Sequence, residues 1–225
     1  MQFPNKVKSI KDGDKVLEIG PGGNPFNRSD IYLELKLSEK ELAAQRGYAQ
    51  KPILNGKVVY YDGKKFPFKD NEFDYVICSH VIEHVPDVKK FLSEMFRVSK
   101  SGYIEYPTIY YEYLYNFDVH LNFMKFDHAS STMRYLPKSK TNLQEFSPVQ
   151  KIMRESLEKG HVELVDSLKD IMFEGFEWSK KFGIEEVDTV SKIAFIDNSI
   201  EVYSVNQGYI GKRRRLKLLL KKLVS

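Results

Sequence analysis

Cysteine is almost missing from this chain. Cys78 is the only one among 225 residues, so no intrachain disulfide can form and a reducing compartment is expected. No apolar run approaches the roughly 18 residues that a membrane-crossing helix needs. The first residues also lack the basic-then-apolar pattern of a signal peptide, and the expectation is a soluble, cytoplasmic protein. No Pro/Gly/Ser-rich linker divides the chain and no internal repeat is visible. One core, which a hydrophobic content of 42% can supply, is the economical organisation. Excess positive charge is missing outside the C-terminus. The formal net charge is +4, and Lys212, Arg213, Arg214, Arg215, Lys217, Lys221 and Lys222 exceed it by themselves. Everything before residue 211 is therefore net acidic, which disfavours nucleic acid as a partner.

What the chain does have is a glycine turn placed directly after a short apolar strand, in the stretch KVLEIGPGGN at residues 15–24. Glycines there let the backbone take positive φ and approach a ligand that any Cβ would hold off. The dinucleotide fingerprint is nevertheless absent. It needs a third glycine three residues after the second and an acidic residue about 20 further on. Pro25 occupies the third place, and the strand Ile31-Tyr32-Leu33-Glu34 delivers its carboxylate too early. A nicotinamide dinucleotide is disfavoured.

The order Glu-x-Gly-x-Gly, with Glu18, Gly20 and Gly22 in register, resembles motif I of the class I S-adenosylmethionine-dependent methyltransferases. Asn24 stands where that family carries its third glycine, and Asn tolerates left-handed backbone nearly as well. The segment YYDGKKFPFKDNEFDYVICSHVIEHVPD, residues 60–87, resembles the central half of a type 11-like methyltransferase domain nearly end to end. The resemblance implies an α/β, Rossmann-like doubly wound sheet of seven strands, ordered 3-2-1-4-5-7-6 with strand 7 antiparallel, and S-adenosylmethionine (SAM) as cofactor. It implies cofactor contacts at Glu18, Gly20, Gly22, Glu34, Asp62 and Ser79. Glu18 would stay near the methionine amino group, Asp62 would read the adenine, and Ser79 follows strand 4 at the edge where open α/β sheets bind ligands. A carboxylate at Glu34 suits a ribose diol because it accepts two hydrogen bonds at once; Glu39 takes that role if strand 2 is shifted.

His80-Val81-Ile82-Glu83-His84 is the second constellation. It matches the H-x-x-E-H of inverted zinc peptidases, a match taken as accidental inside this core. Ubiquinone-pathway O-methyltransferases and small-RNA 2′-O-methyltransferases carry E-x-x-E-H at this place and bind a divalent ion; His80 replaces their first Glu. A turn-shaping role, a general base and a metal ligand all stay open. His80 and His84 are the catalytic candidates, His80 preferred because imidazole titrates near neutrality and it directly follows strand 4. No metal is assigned.

Strands are expected at 15–19, 31–35, 57–62, 73–78 and 102–106. Helices are expected at 38–47 and at 87–99, where Val88, Phe91, Leu92, Met95 and Val98 recur at helical spacing. Between the first two strands only a turn around Pro25 to Ser29 fits. Ser147-Pro148 reads as a helix start, with Ser as cap, and runs 175–182 and 199–206 read as an antiparallel pair. The domain is set at 1–210, with an aromatic insertion at about 107–160 and a tail at 211–225. Between Tyr110 and Phe126 lie seven Tyr and Phe residues, with His120 and His128 nearby, which suits a sugar or flat acceptor as well as it suits plain core packing. The glycine turn and this stretch also resemble methyltransferases found with bacterial surface-polysaccharide assembly. In the tail, Leu216, Leu219, Leu220 and Leu223 would form an apolar stripe flanked by cations, the pattern of an interfacial helix, so peripheral contact with the inner membrane surface is a further expectation. The expected function is SAM-dependent O-methylation of a small molecule or glycan. RNA methylation and a non-catalytic SAM-binding partner are the alternatives.

Overall fold

The computed structural model describes residues 1–37 and 54–194, and one compact unit spans Met1–Ala194. Strands covered on both faces read as unbroken apolar runs. That is the case for β1 (Val16–Ile19), buried along its whole length, and for β4 (Tyr75–Ser79), buried up to Ser79. Together with β2 (Ile31–Leu35), β3 (Lys57–Tyr61) and β5 (Gly102–Pro107) they form a parallel sheet. β8 (Phe173–Trp178) closes it in antiparallel register, Gly102 opposite Trp178 and Pro107 opposite Phe173. The order is β3-β2-β1-β4-β5-β8.

The Rossmann-like order is as expected, with β8 in the antiparallel place beside β5 assigned to strand 7. Six strands rather than seven are seen among the described residues. The expected neighbour at 199–206, the helix at 38–47 and the tail at 211–225 all lie outside those residues. Only turns connect β1 to β2, as the short spacing predicts.

Between β4 and β5 runs α1 (Val88–Val98), started by Asp87, whose carboxylate accepts the Lys90 N–H at 2.9 Å. Its buried face carries the five expected apolar residues plus Phe96. Arg97 on the same helix bonds Glu94, Asp70 and the carbonyls of Phe66 and Phe68, which clamps the FPF segment under β3. Leu92 is wholly buried in this core. Leu92→Ala is expected to lower stability by about 2–5 kcal/mol, read as a shift of the urea midpoint at unchanged slope.

After β5 the aromatic stretch is more regular than expected. It forms α2 (Ile109–Tyr115) and the hairpin β6 (Asn122–Asp127) and β7 (Thr132–Pro137), and β9 (Gly183–Glu186) adds a parallel third strand to β7. Phe126 of β6 stacks on Phe176 of β8 with centroids 3.9 Å apart, which ties the second sheet to the first. The helix expected from Ser147-Pro148 is α3 (Ser147–Ser156), with one correction. Ser147 is already its first residue, Phe146 holds the cap position, and no side chain caps the turn. No helix among the described residues is long and apolar enough to cross a membrane.

Candidate active site

The loops that leave the carboxyl ends of the parallel strands open on one cavity of about 540 Å³, within the range of small-molecule sites. Gly20 and Gly22 line it after β1, Glu34 in β2, Gly63 after β3, and His80 and His84 after β4. Neighbours β1 and β4 send their chains to opposite sides, so the crevice forms at the reversal of strand order.

Both glycines sit at φ +58°, a conformation that L side chains rarely adopt. The Gly20 N–H donates to the Leu33 carbonyl at 2.9 Å, so the turn curls back over β2. A Cβ on Gly20 would stand 2.7 Å from Val81 Cγ2, across the crevice mouth; a Cβ on Gly22 would meet nothing within 4 Å. The turn therefore keeps space open that a side chain would occupy, which is the fit that an adenosyl-methionine cofactor requires. Asn24 is not among the residues at positive φ. Its replacement of the family's third glycine therefore costs this backbone nothing.

Three of the expected cofactor residues point elsewhere. The buried Glu18 carboxylate accepts the Phe26 N–H and the Ser29 hydroxyl, at 3.0 and 2.7 Å, so it braces the β1–β2 turn rather than facing the cavity. Burial raises its pKa despite those bonds. Ser79 donates its hydroxyl to Glu105 at 2.9 Å. Asp62, its side chain 65% exposed, pairs with Lys64 at 3.7 Å on the rim. Glu34 is in the cavity wall as expected, and β2 occupies 31–35, so the shift that would have favoured Glu39 does not occur.

His80 also has partners that the motif does not show. Its φ is +55°, and its backbone N–H continues the β4–β5 pairing by donating to the Glu105 carbonyl at 2.9 Å. The ring then lies between two buried carboxylates, Nε2 3.0 Å from Glu105 and Nδ1 3.5 Å from Glu83. Burial alone would lower the pKa, but Glu105 and Glu83 override it and hold the imidazolium up to about 9. A ring already protonated at neutral pH cannot accept a proton. Glu105 answers in kind. Burial would raise it, yet His80, the Tyr103 hydroxyl and the Gln2 N–H bring it down to about 2.

His84 differs. Its Nδ1 faces the Val119 carbonyl at 3.0 Å, the geometry of a donated N–H. Burial, joined by the charge on His120, lowers its pKa against the pull of Glu83. It is the neutral imidazole of the pair and lines the cavity.

The 119–122 segment reaches this place by hydrogen bonds to carbonyls of the turn that carries Glu83 and His84. The Leu121 N–H donates to the Glu83 carbonyl at 2.7 Å and Asn122 Nδ2 to the Val85 carbonyl at 2.8 Å. His120 thereby enters the cavity wall and packs edge-to-face on His84, centroids 4.6 Å apart. His128 does not follow; 67% of its side chain is exposed and it approaches Glu174. Of the seven aromatics between Tyr110 and Phe126, Tyr111 and Phe117 line the cavity, and Tyr115, Phe123 and Phe126 are buried elsewhere. Glu105 and Lys138 went unnoticed in sequence. A lone Glu amid the apolar GYIEYP of β5 was the available signal for the first.

Residues 17–104 match the family described as methyltransferase domain. Among curated proteins, a sterol 24-C-methyltransferase of Schizosaccharomyces pombe is 33% identical over 41% of this chain and 27% of its own. A demethylmenaquinone methyltransferase of Anoxybacillus flavithermus is 32% identical over 37% of this chain and 33% of its own. A norajmaline N-methyltransferase of Rauvolfia serpentina is 39% identical over 30% of this chain and 24% of its own. The match thus spans no more than a third of these relatives' length.

Proposed function

Residues 17–104 are a methyltransferase domain of the class I, SAM-dependent type, and from that premise we propose that the protein transfers a methyl group from SAM to an oxygen of a small molecule or glycan. The observation that carries this reading is one cavity whose wall combines two unlike sets of groups: the open glycine turn and Glu34, and His84, His120, Tyr111 and Phe117. When bound, the cofactor supplies a methyl already activated on a sulfonium. The chain's own work is then to hold donor and acceptor in line and to relieve the acceptor of its proton.

The relatives' names span carbon and nitrogen acceptors, so the acceptor atom is not inherited from them. The oxygen assignment rests on imidazole nitrogens beside amphipathic aromatics, a lining that suits a hydroxyl-bearing ring. Isothermal titration with SAM, followed by labelled-methyl transfer into fractionated cell extract with and without RNase, tests the proposal. Absence of SAM binding overturns it. Binding without transfer supports a non-catalytic partner, and label lost to RNase supports an RNA substrate. Glu34→Ala is expected to weaken SAM at least tenfold, since a carboxylate that accepts two hydrogen bonds from a diol contributes roughly 1.5–3 kcal/mol.

A further inference from the structure

We propose that Glu83, His84 and His120 form a binding site for a divalent transition-metal ion in the wall of the cavity. One candidate ligand atom from each residue lies within 4.8 Å of the others. Ligands around an ion at roughly 2.0–2.2 Å stand roughly 3–4 Å apart, so small side-chain movements close the triad. E-x-x-E-H enzymes made a metal one of several readings of residues 80–84; the geometry here defines a different set. His80 is spent between two carboxylates, and the third ligand comes from 36 residues further along, brought in by the hydrogen bonds of 119–122 to carbonyls of the 83–85 turn.

Glu83 supplies an independent observation. It is fully buried, and neither carboxylate oxygen has a hydrogen-bond partner among the described residues. Its nearest cations or potential cations are His80 Nδ1 at 3.5 Å and His84 Nε2 at 3.9 Å, neither aligned as a hydrogen bond. A buried carboxylate left so is costly, and a cation between it and the imidazoles removes that cost.

Both imidazoles are oriented as ligands are. Metal-bound His donates its second ring N–H to a carbonyl or carboxylate, which fixes the tautomer and frees the other nitrogen. His84 Nδ1 is engaged by the Val119 carbonyl, and His120 Nδ1 by Glu112, itself buried and held by Lys138 at 3.2 Å. Each Nε2 is left with its lone pair. Two imidazoles and one carboxylate favour Zn²⁺, Mn²⁺ or Fe²⁺ over Mg²⁺ or Ca²⁺, which prefer oxygen. Coordination positions not taken by protein would open on the cavity. There, and resting on the methyltransferase reading, a hydroxyl of the acceptor would lose its proton to solvent more readily.

The test is calorimetric titration of the full chain, stripped by chelator, with Zn²⁺ and with Mg²⁺, plus the visible spectrum of the Co²⁺-loaded protein. One equivalent of Zn²⁺ is expected to bind, Mg²⁺ at least tenfold more weakly, and Co²⁺ should show the ligand-field bands of nitrogen coordination. His120→Gln and His84→Gln should each weaken Zn²⁺ at least tenfold and lose those bands, while His161→Gln changes neither. Glu83→Gln adds a third arm where circular dichroism shows it folded. Failure of the parent to bind Zn²⁺, or equal affinity in His120→Gln, overturns the proposal. SAM titrated into the same samples separates the two readings. SAM binding without Zn²⁺ binding removes the metal site alone, and Zn²⁺ binding without SAM binding removes the methyltransferase reading alone.

Discussion

Gly20→Val is expected to lose SAM binding by at least a hundredfold and to be less stable than the parent by about 2–4 kcal/mol. Two effects add. Gly20 holds φ +58°, where a β-branched side chain is a genuine outlier. Its Cβ would also stand 2.7 Å from Val81 Cγ2, so either the β1 turn or the β4 loop must move. Both edges of the crevice would shift together, because Gly20 also anchors the turn to Leu33. The contact with Val81, which the motif does not contain, adds to the stability cost. Gly22→Ala is the companion. It shares the positive φ but meets nothing within 4 Å, so its cost is the backbone strain of about 1–2 kcal/mol, while its methyl enters the space kept for the cofactor. Calorimetry with SAM and urea denaturation of both variants separates strain from lost binding. A Gly20→Val protein that binds SAM as the parent does would remove the glycine turn from the cofactor site.

How well each residue could be read from sequence follows from the range of its interactions. β2 and α1 are specified locally, by an apolar run and by the Asp87 cap with its helical spacing, and their bounds match the expectation to within a residue. The glycine turn is equally local. Glu18 and Ser79 were legible as positions, but the hydrogen bonds that engage them here come from neighbours the motif does not contain, Ser29 and Glu105. The surroundings of His80 were not legible for the same reason. Its protonation depends on Glu105, 25 residues away in β5, and a spacing rule within residues 80–84 cannot register that carboxylate. The hairpin β6–β7 was missed because Asn122–Asp127 is too short, and too aromatic on both sides, to display a clean alternation. His120 was noticed only as one histidine near the acceptor; what makes it matter is the hydrogen bonding of its segment to carbonyls of the 83–85 turn.

Glu105→Gln is expected to cost about 3–5 kcal/mol at neutral pH, the penalty for breaking a buried ion pair by neutralising one partner. Glu105 is fully buried. It accepts from the Gln2 and Phe3 backbone N–H groups, the Ser79 hydroxyl and the Tyr103 hydroxyl, at 2.6 to 2.9 Å, and lies 3.0 Å from His80. Gln keeps the shape but brings an NH₂ group into a ring of donors, and it removes the charge opposite the imidazolium. The pH dependence has a definite sign. A carboxyl held at about 2 in the folded chain against an ordinary 4.5 contributes stability that is fully present above 4.5 and drains away as pH falls toward 2. By linkage that contribution is about 3 kcal/mol. The parent's urea midpoint should therefore fall more steeply than the variant's below about pH 4.5, and the two stabilities should converge near the acid end. A Glu105→Gln protein within about 0.5 kcal/mol of the parent at neutral pH, the range of ordinary surface substitutions, would show that the N-terminal segment and His80 are held by other means. Because Gln2 and His80 both line the cavity, the same variant should also loosen the wall between the glycine turn and the imidazoles. SAM affinity measured beside stability would show whether the buried pair serves the fold alone or the shape of the site as well.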